Sequence, residues 1–126
     1  MTQQPSVSWL ALPEHHDYRA AEDYLRLVLS SKHAERAASL LRKAKRTHRW
    51  KAKDILRAAG LPALGADNEG VAAKLAKIKA GDALSPILLV QREDGALIIA
   101  DGYHRTSAAY VLDESTAVAA VEAHLS

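Results

Sequence analysis

The chain has 126 residues, a formal net charge of +2 and no cysteine. That length supports one hydrophobic core, the charge is too small to mark a nucleic-acid binder by itself, and the missing thiols exclude disulfides, thiol catalysis and cysteine-ligated zinc. The 48% hydrophobic fraction leans on alanine and contains no Phe, no run approaches the roughly 18–20 apolar residues of a membrane span, and Met1–Ser6 lacks signal-peptide form. A cytoplasmic protein without a membrane anchor is expected.

In chain order, residues 1–8 read as a loose polar leader. Asp17 can cap a first helix carrying Tyr18, Ala21, Leu25, Val28 and Leu29 at helical spacing. Ser30 or Ser31 can cap a second, with a thin stripe of Ala34, Ala37, Ala38, Leu41 and Ala44. The short turn between them predicts an antiparallel pair. Trp50–Ala59 is ambiguous: its spacing allows a helix, but WKAKDI alternates and could open as a strand before a helical turn ending at Gly60. Leu61–Glu69 is a loop. Asp67 or Asn68 can cap a helix with Val71, Leu75 and Ile78, ending near Gly81.

The last third is clearer. Pro86 opens a strand, Ile87–Val90, whose continuous apolar run predicts burial on both faces. Glu93-Asp94-Gly95 is a turn, Leu97–Ala100 a second strand, Tyr103–Leu112 a helix, and Ala117–Ala123 a returning strand. The fold class is α+β, with a small mixed sheet and packed helices preceded by a helical hairpin. Residues 1–49 form the leader and hairpin and 50–126 the main domain.

The stretch Ile99–Thr106, IADGYHRT, runs from an apolar strand straight into a helix. Free backbone N–H groups and the positive end of a helix dipole meet His104 and Arg105 there, which suits a phosphate. On a helix starting near Tyr103, His104 lies above Ala108 and Val111, and Arg105 above Ala109 and Leu112. This predicts both polar heads at the helix entrance. Asp101 can cap the helix, hold a metal-bound phosphate or orient His104. Gly102 would let a ligand approach the backbone, and Thr106 adds a hydroxyl. The alternative is that Asp101 is only a cap, Gly102 only a turn and Arg105 a solvated charge.

A helix ending in Gly, then SPILLV, a short turn, LIIADGYHRTSAAYVL and a final strand resembles the ParB/sulfiredoxin superfamily. The resemblance covers roughly Trp50–Leu125 and is most specific from Ser85 to Leu112. In that superfamily the corresponding turn binds nucleotide phosphates: CTP in ParB partition proteins, ATP in sulfiredoxins, ADP or ATP in free serine kinases. The resemblance implies a phosphate site at Gly102, Tyr103, His104 and Arg105 with Asp101 beside it. A nucleoside di- or triphosphate with Mg²⁺ is the implied cofactor, Asp101 meeting the metal. Sulfiredoxins carry their catalytic Cys where this chain has Tyr103, so their chemistry is excluded. The DGYHR turn looks closest to the kinase-like variants, with Glu69 as a catalytic-carboxylate candidate and Lys53 as a phosphate partner. Phosphotransfer or nucleotide hydrolysis would use His104 as phosphate donor or acid–base group and Asp101 as metal or orienting carboxylate, with Arg105 and the backbone N–H groups stabilising phosphate charge.

Arg42, Lys43, Lys45, Arg46, Arg49, Lys51 and Lys53 crowd one stretch with His48 and Trp50 interleaved. They predict either a DNA-backbone patch with Trp50 free to stack, or a solvated helix end with Trp50 anchoring the helix pair in the core. A third reading has Lys51 or Lys53 reaching the phosphate site from the first strand. His15-His16-Asp17 resembles a metal fragment without a second ligand group, and Trp9, Tyr18 and Tyr24 read as packing for the hairpin. Gly60, Gly65 and Gly70 are followed by no Lys-Ser or Lys-Thr pair and are not a P-loop. The leading expectation is a nucleotide- or phosphate-ligand-binding domain. The alternatives are a DNA-associated module using segment 42–53 and a non-catalytic scaffold domain; a homodimer is compatible with each.

Overall fold

The computed structural model describes residues 6–126, and the Met1–Pro5 part of the expected leader lies outside them. Helix α1 spans His15–Val28 and α2 spans Ser31–Lys43; strand β1 is His48–Lys51 and α3 is Ala52–Ala59. Helix α4 spans Glu69–Lys79, followed by strands β2 (Ile87–Gln91) and β3 (Leu97–Asp101), helix α5 (Tyr103–Leu112) and strand β4 (Ala117–His124). The α+β class is as expected.

The four strands lie in the order β1-β4-β2-β3. Only β2 and β4 run parallel, so the chain crosses over through β3 and α5 between them. Central β2 is buried on both faces, as its unbroken apolar run predicts. Leu88 and Val90 pack with Ala21, Leu25, Ala34, Ala37 and Leu41 of the hairpin. Ile87 and Leu89 face Ile55, Leu56 and Ala109 of α3 and α5. The result is three layers, helix on sheet on helix, with α4 packed on α5 through Val71, Ile78 and Ala108. Alanine dominates the contact faces, which lets the helices approach closely; the larger aliphatic residues fill the sheet.

Local chemistry explains most boundaries. The Ser30 hydroxyl accepts from the His33 N–H at 3.2 Å and caps α2. Asn68, not Asp67, caps α4 through the Val71 N–H at 3.1 Å. Gly60 ends α3 in the left-handed conformation with φ 68°. In Trp50–Ala59 the strand-then-helix alternative holds, because the β1 backbone pairs with β4 before α3 begins.

Two expectations are corrected. Helix α1 begins two residues before Asp17, with Glu14 at its cap; Asp17 is the third helical residue and accepts the Glu14 N–H at 2.8 Å. Nor are residues 7–10 loose, for Trp9 bridges Leu84 and the two segments exchange backbone hydrogen bonds of 2.8 and 2.9 Å. Trp9 therefore packs beside α3, α4 and α5 rather than on the hairpin. Among the described residues no helix is long and apolar enough to cross a membrane.

The hairpin and sheet share a core, so they should unfold together. Leu25→Ala removes a fully buried side chain and is expected to lower unfolding stability by about 2–5 kcal/mol. Urea titration followed by circular dichroism should keep a single transition; an early separate loss of the hairpin would contradict the shared core.

Candidate functional site

The strand-to-helix turn sits at the end of the sheet where β2 begins and β3 finishes. A bulge there pairs Leu88 with Asp101 while Leu89 pairs with Ile99, leaving Ala100 as the extra residue. Leu88 faces the hairpin, so the bulge turns Asp101 toward α1 instead of the face strict alternation from Ile99 would give it. Gly102 follows at φ 116°, and a Cβ there would collide with the Ile87 side chain. Glycine is thus required by the backbone and by Ile87.

Of the two polar heads expected at the helix entrance, only His104 is there. Arg105 is only 7% exposed, whereas His104 is exposed. The buried face of α5 is Arg105, Thr106, Ser107, Ala108 and Ala109, which turns Val111 outward. Arg105 Nη1 donates to Asp17 Oδ1 at 3.3 Å and Nη2 to Asp101 Oδ2 at 2.9 Å. Its Nε is buried without a partner. The guanidinium therefore ties α1, β3 and α5 together beneath the turn, with Gly102 above it.

The two carboxylates respond differently to one cation. Burial pushes the Asp17 carboxyl up, but the Ser85 hydroxyl, the Glu14 backbone N–H and Arg105 together hold it below the usual 3.8. Asp101 is raised: burial dominates, Arg105 only partly opposes it, and the neighbouring Asp17 charge pushes the same way as burial. Lys74 of α4 completes the cluster. Burial lowers its ammonium, then repulsion from Arg105 and Lys77, against the pull of Asp17 and Asp101. Two carboxylates and two cations leave the group near neutrality.

Above this group the α5 N-terminus has no side-chain cap. Asp101, the expected cap, is held by Arg105, and the Thr106 hydroxyl donates back to the Gly102 carbonyl at 2.9 Å. The first helical backbone bond is Thr106 N–H to that same carbonyl. Beside this helix start lies a cleft of about 340 Å³ lined by Ala20 and Tyr24 of α1, Leu61, and Ile99–His104. Tyr24, expected to pack, is 45% exposed at its rim. The loop before α4 is stapled to α5: Tyr103 donates to the Pro62 carbonyl at 2.6 Å, and Ser107 accepts the Leu64 N–H at 3.1 Å. Ser107 is thereby a structural hydroxyl. Gly70 lies under the His104 imidazole, where a Cβ would meet the ring at 2.5 Å; Glu69 is its exposed chain neighbour at the start of α4.

The remaining candidates lie elsewhere. The Lys53 N–H bonds to the Glu114 carbonyl past the far end of α5, one helix length or about 15 Å from the turn. Strand β1 is the opposite edge of the sheet from β3, so neither Lys51 nor Lys53 joins the site from the first strand. The basic segment is also divided. Arg42 pairs with Glu22 at 2.9 Å and lies over Tyr18. Lys43, Lys45 and Arg46 border a recess beside His48, while Arg49 and Lys51 alternate to the other side of β1 from His48 and Trp50. Trp50 is 47% exposed and anchors no helix pair.

A divalent ion does not fit the turn. Asp101 is already engaged by Arg105, and Mg²⁺ requires freely offered oxygens in near-octahedral array. Glu14, His16 and Asp17 do bring ligand atoms within 4.8 Å of one another, but Asp17 spends its oxygens on the Glu14 N–H and Arg105. No family model matches the chain, and no curated protein or solved structure matches it.

Sequence reasoning missed Asp17, read as a cap, and Lys74. The Asp101–Arg105 spacing of four was a legible helical pairing signal, but Asp17 lies 88 positions from Arg105.

Asp17→Asn is expected to cost about 3 kcal/mol, because it takes from the buried guanidinium the more deeply buried of its two carboxylates; Asp101→Asn should cost much less. The pH dependences have opposite signs. Asp17, depressed on folding, stabilises above its unfolded value of 3.8 and loses that contribution as pH falls below it. Asp101, raised on folding, adds stability as pH falls through its folded value toward 3.8. Urea unfolding between pH 7 and 3 should show the Asp17→Asn deficit shrinking only below that value. It should also show the Asp101→Asn protein falling further behind wild type above it. Equal deficits for the two variants at neutral pH would contradict this assignment.

Proposed function

We propose that this protein binds a phosphorylated small molecule, a nucleotide foremost, at the N-terminus of α5. The observation that carries this reading is the start of α5 at Gly102, which offers no capping side chain, while the preceding Asp101 is taken by Arg105. The uncapped helix start lies beside a cleft of ligand size lined by Gly102, Tyr103 and His104. An anionic oxygen is the natural partner for the N–H donors of a helix start, and the helix dipole adds to the attraction. His104 lies exposed beside them, a further donor to a phosphate oxygen, while Tyr24 and Tyr103 give the cleft aromatic walls for the remainder of the ligand.

The resemblance of DGYHRT and its flanking strands to the ParB/sulfiredoxin superfamily, where the equivalent turn holds nucleotide phosphates, supports the same ligand class. Arg105 takes a different part from the one that resemblance implies. Buried and doubly paired, it positions Asp101 and the turn instead of gripping phosphate. With the ionic cluster near neutrality, affinity rests on the backbone N–H groups and His104, and needs no metal through Asp101.

Calorimetry and thermal shift with inorganic phosphate, AMP, ADP and ATP test the reading. A ligand at a hundred times its Kd should add about 2.7 kcal/mol to stability, with binding preserved in EDTA. His104→Ala should weaken binding about tenfold, the value of one charge-assisted hydrogen bond. Ala20→Glu, on the exposed side of α1, should weaken it further by setting a carboxylate in the cleft. Binding that ignores both substitutions, or no binding across the panel, would overturn the proposal.

A further inference from the structure

The other end of the sheet carries a second constellation. There β2 and β4 finish side by side, Gln91 paired with His124, whereas Asp101 stands opposite Leu88 near the start of β2. On the α3 side of this end the helices leave the sheet uncovered. A cleft of about 400 Å³ opens there with Ile55, Leu89 and Leu97 in its walls and Trp50, Glu122 and His124 at its polar side. Trp50 is exposed yet fixed: its indole N–H donates to Glu122 Oε1 at 3.0 Å. The second carboxylate oxygen, Oε2, meets His48 Nδ1 at 2.6 Å. His124 Nδ1 is likewise held by Gln91 Oε1 at 2.7 Å. A large aromatic ring left half in water but locked by hydrogen bonds has paid its ordering entropy in advance, as a stacking platform requires.

Beyond Glu122 and His124 lies a second recess, which those two residues share with the first. Its other walls are Lys43, Lys45, Arg46 and His48. Among the described residues none of the three long cations there has a carboxylate partner, in contrast to Arg42 with Glu22. An apolar aromatic compartment thus adjoins a cationic one, with hydrogen-bond acceptors along the boundary. We propose that this pair of recesses binds a nucleobase–phosphate unit. The base stacks on Trp50, and the phosphate lies on Lys45 and Arg46. Such a unit is supplied either by a free mononucleotide or by one residue of a single strand. The inference is independent of the α5 site, which stands at the opposite end of β2.

The test is calorimetry on the full chain with the four nucleoside monophosphates, the matching nucleosides and a twelve-nucleotide single strand. Nucleotide binding should weaken about tenfold in Trp50→Ala. It should weaken again in Lys45→Glu/Arg46→Glu, whose exposed positions leave folding intact, and decline with added salt. Nucleosides should bind more weakly than their monophosphates, and His104→Ala should leave this site unchanged. A strand binding more tightly than the mononucleotides assigns the unit to nucleic acid; equal or weaker binding assigns it to a free nucleotide, and both support the site. No binding by any nucleotide would overturn it. So would binding to the chain carrying His104→Ala and Ala20→Glu, whose α5 site is blocked, that survives both Trp50→Ala and the double charge reversal, or nucleosides matching their monophosphates on that chain.

Discussion

A single buried guanidinium holds this fold's strand-to-helix corner together. Arg105 enters the interior from the first turn of α5 and meets one carboxylate from α1 and another from the end of β3. A charge taken out of water is tolerated only when its partners are close and themselves satisfied. Asp17 meets that condition through the Glu14 N–H and the Ser85 hydroxyl. Asp101 does not, and its raised pKa records the difference. The hairpin is thereby bound to the sheet by an ionic contact as well as by the alanine-rich core beneath Leu25 and Leu41.

The same contact shapes the surface above it. The N-cap of α5 is Gly102, which carries no side chain to cap the helix. Asp101, one position earlier, is swung toward α1 by the bulge at Ala100 and claimed by Arg105, so neither residue caps the α5 donors. Gly102, pressed against Ile87 and held at positive φ, admits no side chain that could fill the gap. The far end of the sheet follows a different logic. There Glu122 is satisfied by His48 and the Trp50 indole, and the ring it fixes remains open to solvent.

Much of this was readable in the chain. The SPILLV run, the Glu93-Asp94-Gly95 turn and the α5 span follow from period, turn chemistry and glycine placement, all of which act over a few residues. Asn68 and Ser30 cap their helices as short polar residues do. What escaped was decided over distance. Periodicity placed His104 and Arg105 on neighbouring stripes of α5, but which stripe is buried depends on Asp17, far away in the sequence. Trp50 reads from the sequence as a core anchor of the helix pair first and a stacking platform second. Only the pairing of β1 with β4 brings it to Glu122 and leaves it exposed. The basic run looked continuous because strand alternation and the Arg42–Glu22 pair, which divide it, are invisible in one dimension.

The central claim is that the α5 N-terminus, left without a side-chain cap, is an open anion site. Amide chemical-shift mapping of the ¹⁵N-labelled chain, titrated with a nucleoside diphosphate, addresses it most directly. Saturable shifts should concentrate on the backbone N–H groups of Tyr103, His104 and Arg105, with smaller ones at Ala20 and Tyr24 across the cleft. Shifts that leave those amides unmoved while the ligand binds elsewhere, or an unchanged spectrum at millimolar ligand, would contradict it.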